Sequence, residues 1–412
     1  MMERKKILVL SYEYFPMENA NTKIIRNLCR RLGDRYKLDL VTLKTAGTED
    51  REEDGTVRVL RVPEYSFHRE KRTGPLTPGI LARMAAEKVL AKLTHDETRM
   101  VEWLYEHGIR KAADISGYDA VVSFSAPFPA HGCASRIARE TGTPWIAVCF
   151  DPYFSNRIFG DEGREVRRKR EEAVFAPAAK VLMTYPTDRD YLRAGVAFSD
   201  RILGMEMPGI APQETKAPAA GTESGAVCRC CFFGMLYREI RDPRPAIALF
   251  SEAGNGIEMR FAGVISGAEK EEYFPEGCAC RHMGSLAGEA LEKEYAGADV
   301  LVNIGNAVDN QMPSKIFEYI STGKPIINIY KSKDCPTLKY LERYPAALNI
   351  FEGDIGTGLA DCAEQVRQFC REQKGKRVPA ETIGKLYAEN TFDHFAETMC
   401  RVIDGVLPGA EE

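Results

Sequence analysis

The chain has 412 residues, 44% of them hydrophobic, and 60 acidic against 56 basic side chains give it a net charge of −4. That balance, with 34 Gly and 22 Pro, excludes collagenous and disordered classes and argues against a general phosphate-backbone binder. No apolar run approaches the roughly 18–20 residues a transmembrane helix needs, and Ile7-Leu8-Val9-Leu10 after the basic start is too short for an export signal. A soluble, cytoplasmic protein of two or three domains is expected.

Strand and helix signals alternate from the start. Lys6–Tyr12 reads as a buried parallel strand and Thr22–Leu32 as a helix with Ile24, Ile25, Leu28 and Leu32 on one face. Strands are expected at Tyr36–Leu43 and Val57–Val62, and then a long helical stretch from Ile80 to Ile115. The pattern continues through strand Ala120–Ser125, helix Pro129–Thr141, strand Trp145–Phe150, charged helix Arg164–Phe175, and short strands Lys180–Thr184 and Asp200–Met205. A small, Pro/Gly-rich break runs from Pro208 to Gly221. Alternation then restarts with strands at Val227–Gly234, Ile257–Ala262, Val300–Ile304 and Pro325–Tyr330, and helices at Pro243–Ala253, Glu289–Ala296, Pro313–Ser321 and Gly358–Lys374. The last segment, from Glu381 to Val406, reads as helical. Two doubly wound parallel-sheet domains in tandem follow from this order. The domains are expected at 1–207 and 208–380, with 381–412 as a terminal helical segment. Ligands of such sheets bind in crevices at the carboxyl ends of the strands, and a substrate between the two domains is the natural arrangement.

Twelve Cys in this length are too dilute for a disulfide scaffold. Cys228-x-Cys230-Cys231 and Cys278-x-Cys280-x-His282 raise a zinc reading, but paired ligands usually stand two or more residues apart, so packing as small hydrophobes is favoured.

The most informative stretch runs from Asp309 to Ile327. Pro313 suits a helix N1 position, and the free amides around Ser314 and Lys315 suit an anion, phosphate above all. Glu318 lies on the same helix face as Lys315, placed to accept from a ribose diol. A capped helix with a solvated Lys–Glu pair fits the same spacing, which alone does not choose.

The stretch resembles the nucleotide-sugar signature of family-4 glycosyltransferases of the GT-B fold, where a Pro/Ser/Lys helix start precedes Glu-Tyr and Gly-Lys-Pro, here Glu318-Tyr319 and Gly323-Lys324-Pro325. Phe232–Pro243 is similar to the first strand-loop-helix of that family's donor domain. Phe261-Ala262-Gly263, His282–Leu286 and Tyr295–Val302 match later landmarks in order, while the N-terminal half resembles the family only in outline. The resemblance implies a GT-B fold, two Rossmann-like domains facing a central cleft, with the terminal segment crossing back onto the first. It also implies transfer of a sugar from a nucleoside-diphosphate sugar, with retention and without a metal or other cofactor. The acceptor is a glycan, a lipid-linked molecule or a small molecule in polysaccharide or glycoconjugate assembly.

The roles implied follow from the chemistry: a diphosphate leaving group needs cations or N–H donors. Arg238 and Lys315 are expected to stabilise it, with Gly234, Arg241, Asn310, Pro313, Ser314 and Glu318 binding the donor. Arg241 ranks below Arg238 because Asp242 can neutralise it. Asp151 and His131 are the candidates to touch the acceptor. The sequence departs from the family pattern at Asn310, which takes the place of a Glu, at Asp151 in place of a His, and at Asn19-Ala20-Asn21, where a Gly-Gly loop is usual. A nucleotide-sugar epimerase of the same fold and a non-catalytic GT-B partner subunit are the rival readings. The basic run Arg164–Arg170, with Arg69, Lys71 and Arg72, suits either peripheral contact with an anionic membrane at its cytoplasmic face or, as favoured, a solvated helix face with internal ion pairs. Nucleic acid is not expected, since no aromatics interleave these runs.

Overall fold

A computed structural model describes residues 4–63, 85, 89, 99–125, 128–157, 160–213, 227–236, 238–265, 267–407 and 409. Of the helical stretch expected from Ile80 to Ile115, the part before Arg99 lies outside them except at Ala85 and Val89, as do the basic residues Arg69, Lys71 and Arg72. The chain divides into two compact units, one of Met1–Met207 with Phe392–Glu412 and one of Pro208–Thr391.

The first unit is built on β1 (Lys6–Leu10), α1 (Ala20–Leu32), β2 (Lys37–Leu43), β3 (Arg51–Asp54), β4 (Val57–Val62), α2 (Arg99–Ala112), β5 (Ala120–Phe124), α3 (Pro129–Thr141), β6 (Trp145–Cys149), α4 (Arg164–Phe175), β7 (Lys180–Thr184), α5 (Thr187–Ala194) and β8 (Ile202–Met205). Its sheet has the order β3-β4-β2-β1-β5-β6-β7-β8 and is parallel except for β3 on β4. β1 and β5 are buried along nearly their whole length, as near-continuous apolar runs in a parallel sheet should be. α1 turns Ile24, Ile25, Leu28 and Leu32 inward. Asn19-Ala20-Asn21, where a Gly-Gly loop was the reference, is its start: Asn19 accepts from the Thr22 amide at 2.9 Å while Thr22 Oγ1 accepts from the Asn19 amide at 3.0 Å.

The polar strand β3 had no apolar alternation to announce it. It hairpins onto β4 through Gly55, at φ 67°, and its Asp54 accepts from Tyr14 Oη at 2.9 Å, Arg26 Nε at 2.8 Å and Arg30 Nε at 2.9 Å. Burial raises the Asp54 pKa, but these donors outweigh it and hold it down at about 2.

The second unit contains β9 (Cys228–Phe233), α6 (Arg244–Ala253), β10 (Ile257–Ala262), α7 (Gly267–Tyr273), β11 (Arg281–His282), α8 (Gly288–Gly297), β12 (Val300–Ile304), α9 (Lys315–Ser321), β13 (Ile326–Tyr330), α10 (Leu338–Leu341), β14 (Ala347–Phe351), α11 (Glu352–Thr357), α12 (Leu359–Gln373) and α13 (Ala380–Leu386). Its strands, all parallel, lie in the order β11-β10-β9-β12-β13-β14. The buried amides of Asn303 and Asn328 and the half-buried one of Asn349 ladder across β12, β13 and β14 at 2.7 and 2.8 Å, so the two buried side chains are bonded to their neighbours. The start of the Pro/Gly-rich break is anchored rather than loose, since the Gly209 and Ile210 amides donate to Asn390 O at 2.9 and 3.0 Å. After α13 the chain rejoins the first unit at Phe392, so 381–391 stays with the second. There α14 (Phe392–Val406) buries Phe395, Ala396, Met399 and Ile403 and packs along α1.

Candidate active site

Each sheet reverses its winding once, between β1 and β5 in the first unit and between β9 and β12 in the second. Loops leaving the carboxyl ends of strands diverge there and open a crevice. In the second unit the loops concerned carry Gly234, Arg238 and Arg241 after β9, and Asn306 and Asn310 after β12.

These loops are bonded to each other. Arg241 Nη2 donates to Asn306 Oδ1 at 2.7 Å, and the Ala307 amide donates to Ile240 O at 2.7 Å. Asp242 does not neutralise Arg241, because its carboxylate takes the Arg244 amide at 3.0 Å and Arg244 Nε at 2.9 Å. Arg238, ranked first from sequence, is exposed and turned to Glu272 and to Tyr273 Oη (3.2 Å) on α7. Of the two arginines, Arg241 is the one fixed at the strand ends.

Gly234 serves through its missing Cβ. Its amide donates to Ala262 O at 2.9 Å, so it extends the strand pairing by one residue. A Cβ on neighbouring Gly263 would lie 1.7 Å from Gly234 O, and one on Gly234 would come within 3.2 Å of Phe232 Cζ. Only two glycines allow the loops to cross this closely.

α9 presents the next group. Pro313 is buried, Ser314 and Lys315 are half-buried, and Lys315 Nζ lies 2.5 Å from Glu318 Oε2 and 5.5 Å from the Tyr295 ring centroid. Tyr319, on the inner side, ties α9 to the end of β9: its hydroxyl accepts from the Phe233 amide at 2.9 Å. Asn310 is buried at 4% exposure. Lys324, in the Gly-Lys-Pro turn, is a structural cap, donating to Tyr295 O, to Ala296 O at 3.0 Å and to Ala298 O at 2.7 Å at the end of α8. Burial lowers its pKa to about 8.

In the first unit, Asp151 follows β6 in a loop held from several sides. The Phe150 amide donates to Ser125 Oγ at 3.0 Å, the Tyr153 amide to Tyr191 Oη at 2.8 Å and the Phe154 amide to Glu171 Oε2 at 3.1 Å. Asp151 is half-buried, and desolvation raises its pKa to about 6. His131 does not reach a ligand. It has no exposed surface, and its Nδ1 meets Ser123 Oγ at 2.7 Å among Phe128, Trp145 and Phe175. Burial pushes its pKa down to about 3, so it stays a neutral core imidazole. A lone His in a helical apolar pattern gave no sign of this partner.

The basic run of α4 is spent internally. Arg170 donates to Glu102 at 2.7 Å and Tyr153 Oη at 3.1 Å, Arg168 to Glu172 at 3.1 Å, and Arg167 to Glu162 O and Gly160 O at 2.7 and 2.8 Å. Arg164 and Lys169 stand 3.9 Å from Asp161 and Glu165. Nor does Cys278-x-Cys280-x-His282 converge, since Cys280 Sγ donates to Ile247 O while His282 Nε2 meets Gly263 O at 3.0 Å.

Residues 22–203 match the sequence model of the glycosyl transferase 4-like domain. No curated protein matches the chain by sequence. Solved structures resemble it throughout. Sucrose-phosphate synthase from Thermosynechococcus elongatus superposes with a TM-score of 0.61 at 16% identity, covering 97% of this chain and 98% of that one. HepE of Anabaena, in complex with UDP and glucose, gives 0.61 at 11% identity over 97% and 100%. The catalytic domain of starch synthase IV from Arabidopsis thaliana, bound to ADP and acarbose, gives 0.58 at 10% identity over 98% and 99%. At these identities the likeness establishes the fold, the GT-B arrangement of two parallel-sheet domains, and within it residues 22–203 match a glycosyl transferase 4-like domain.

Proposed function

We propose that the protein moves a sugar from a nucleoside-diphosphate sugar onto a glycan, a lipid-linked molecule or a small-molecule acceptor in polysaccharide or glycoconjugate biosynthesis. The observation that carries this reading is the junction of Arg241 with Asn306 at the winding reversal of the second sheet, beside an α9 held to the same strand end by Tyr319. Such a crevice, with two cations and a carboxylate, suits a diphosphate joined to a ribose.

Donor binding exchanges one ion pair for others. Lys315 leaves Glu318 for a phosphate oxygen, and Glu318 then accepts from the ribose hydroxyls. As the glycosidic bond breaks, charge grows on the departing diphosphate, and Arg241 and Lys315 stabilise it without a metal. The departing phosphate, on the attacked face, takes the acceptor proton, which leads to retention. Asp151 belongs to the acceptor side, where its raised pKa makes it a carboxylate only above about 6. A lipid-linked acceptor would bring the protein to the cytoplasmic face of a membrane.

The test is a thermal-shift panel of UDP, GDP, ADP, CMP and TDP and their sugar conjugates. UDP and ADP lead it because HepE and starch synthase IV carry them. One nucleotide family is expected to raise the melting temperature by a few degrees, with the shift lost in Lys315→Ala and Glu318→Ala. A panel without response, or a response unchanged in both variants, refutes the site.

A further inference from the structure

At the opposite end of β9 from the donor site, three thiols converge. Strand alternation puts Cys228 and Cys230 on one face of the sheet and Cys231 on the other. The third thiol is Cys370, in the last turn of α12 and 140 residues away, with its Sγ 3.7 Å from that of Cys230. All three sulfurs lie within 4.8 Å of one another, and the residues are 4%, 0% and 2% exposed.

We infer that Cys228, Cys230 and Cys370 form a three-thiolate site for a soft d10 cation, Zn(II) or Cu(I), which joins β9 to α12. Metal–sulfur bonds of about 2.3 Å place the sulfurs of a three-fold site about 3.8–4.0 Å apart. The triangle in the structure therefore needs adjustments of less than about 1 Å to close on an ion. Cys-x-Cys is too short a gap for a loop-borne zinc knuckle, but on a strand the same spacing aims both sulfurs at one point. An all-sulfur set selects thiophilic ions over Mg(II) or Ca(II).

A divalent ion held by three thiolates displaces whatever protons the thiols carry and leaves one net negative charge. Lys374, whose ammonium donates to Val227 O at 2.8 Å, stands beside Cys228 to balance it.

The site lies apart from the donor groups, so its metal would be a staple and not a catalyst. Full-length protein stripped with chelator and titrated with Zn(II), Cu(I) or Cd(II) is expected to take one ion per chain. Cd(II) should give a thiolate charge-transfer band, and Zn(II) should raise the melting temperature by several degrees. Cys228→Ser and Cys370→Ser should each weaken binding at least tenfold, whereas Cys362→Ser, buried on the same helix but outside the triad, should not. X-ray absorption of the zinc-loaded wild type, which needs no variant to fold, should show three sulfurs at about 2.3 Å. The preferred ion of the pair is the one that survives competition with the other. Fewer than three sulfur ligands, less than half an equivalent of any ion bound, or binding indifferent to all three triad cysteines overturns the proposal.

Discussion

Replacing Tyr319 by Phe removes one oxygen and nothing else. That hydroxyl accepts from the Phe233 amide at 2.9 Å and donates back to Phe233 O at 3.3 Å, with Tyr319 only 1% and Phe233 3% exposed. The variant leaves a buried N–H without this acceptor, where water has no access, at a cost of about 1–2 kcal/mol. For a unit of this size the melting temperature should fall by about 3–6 °C. α9 also loses its tie to β9, so the ion pair Lys315–Glu318 no longer stands in register with Arg241. Nucleotide affinity should weaken by about three- to tenfold, the equivalent of roughly 1 kcal/mol. Differential scanning fluorimetry of the variant, with and without the nucleotide identified in the panel, measures both effects. A melting temperature within about 1 °C of wild type refutes the buried-bond argument. A fall in stability with unchanged nucleotide affinity refutes the positioning role and leaves Tyr319 a structural residue.

Gly263→Ala drives a Cβ to 1.7 Å from Gly234 O, which only a backbone shift can relieve; a loss of 2 kcal/mol or more, on the order of other severe backbone conflicts, should appear in urea unfolding, and a wild-type midpoint would contradict the crossing of the two loops. Asp54, with its folded pKa at about 2 against about 3.9 unfolded, contributes about 2 kcal/mol above pH 4 that is lost as the pH falls through 2. The stability gap between wild type and Asp54→Asn should accordingly shrink between pH 5 and pH 2.5, where pH is an imposed condition spanning that window, and a gap independent of pH would show that the arginine cluster does not depend on the charge. If Asp151 meets the acceptor as a carboxylate, transfer should rise as the pH passes about 6, and this inflection should vanish in Asp151→Asn; identical pH profiles would remove it from the acceptor site.

Much of the fold was legible because burial is periodic along the chain. The runs at Ile7–Leu10 of β1 and at β6 are apolar without interruption, β5, β9 and β12 each carry a single polar residue, and the residues between the strands repeat at helical spacing, so their assignment needed no partner. What escaped were elements whose stability comes from neighbours. β3, Arg-Glu-Glu-Asp, pairs because its Asp54 is claimed by two arginines of α1. The terminal helical segment breaks at Ala388–Asn390 because Asn390 turns to hold Gly209 and Ile210.

The site divides along the same line. By itself the sequence placed a lysine and a glutamate three apart on one helix, since that is a local fact of spacing, although the helix begins at Lys315 with Ser314 as its cap and Pro313 stands before it rather than at its first position. It also determined the alternation that makes two parallel sheets. Only the tertiary structure gave Arg238 and Arg241 their partners, because Glu272 and Asn306 lie 34 and 65 residues away. It buried His131 beside Ser123, and it brought Cys370 to a Cys-x-Cys that lacked a third ligand. Periodicity records whether a side chain faces the core; which charge, amide or thiol it meets there depends on contacts between distant segments, and these arise only when the sheets are wound.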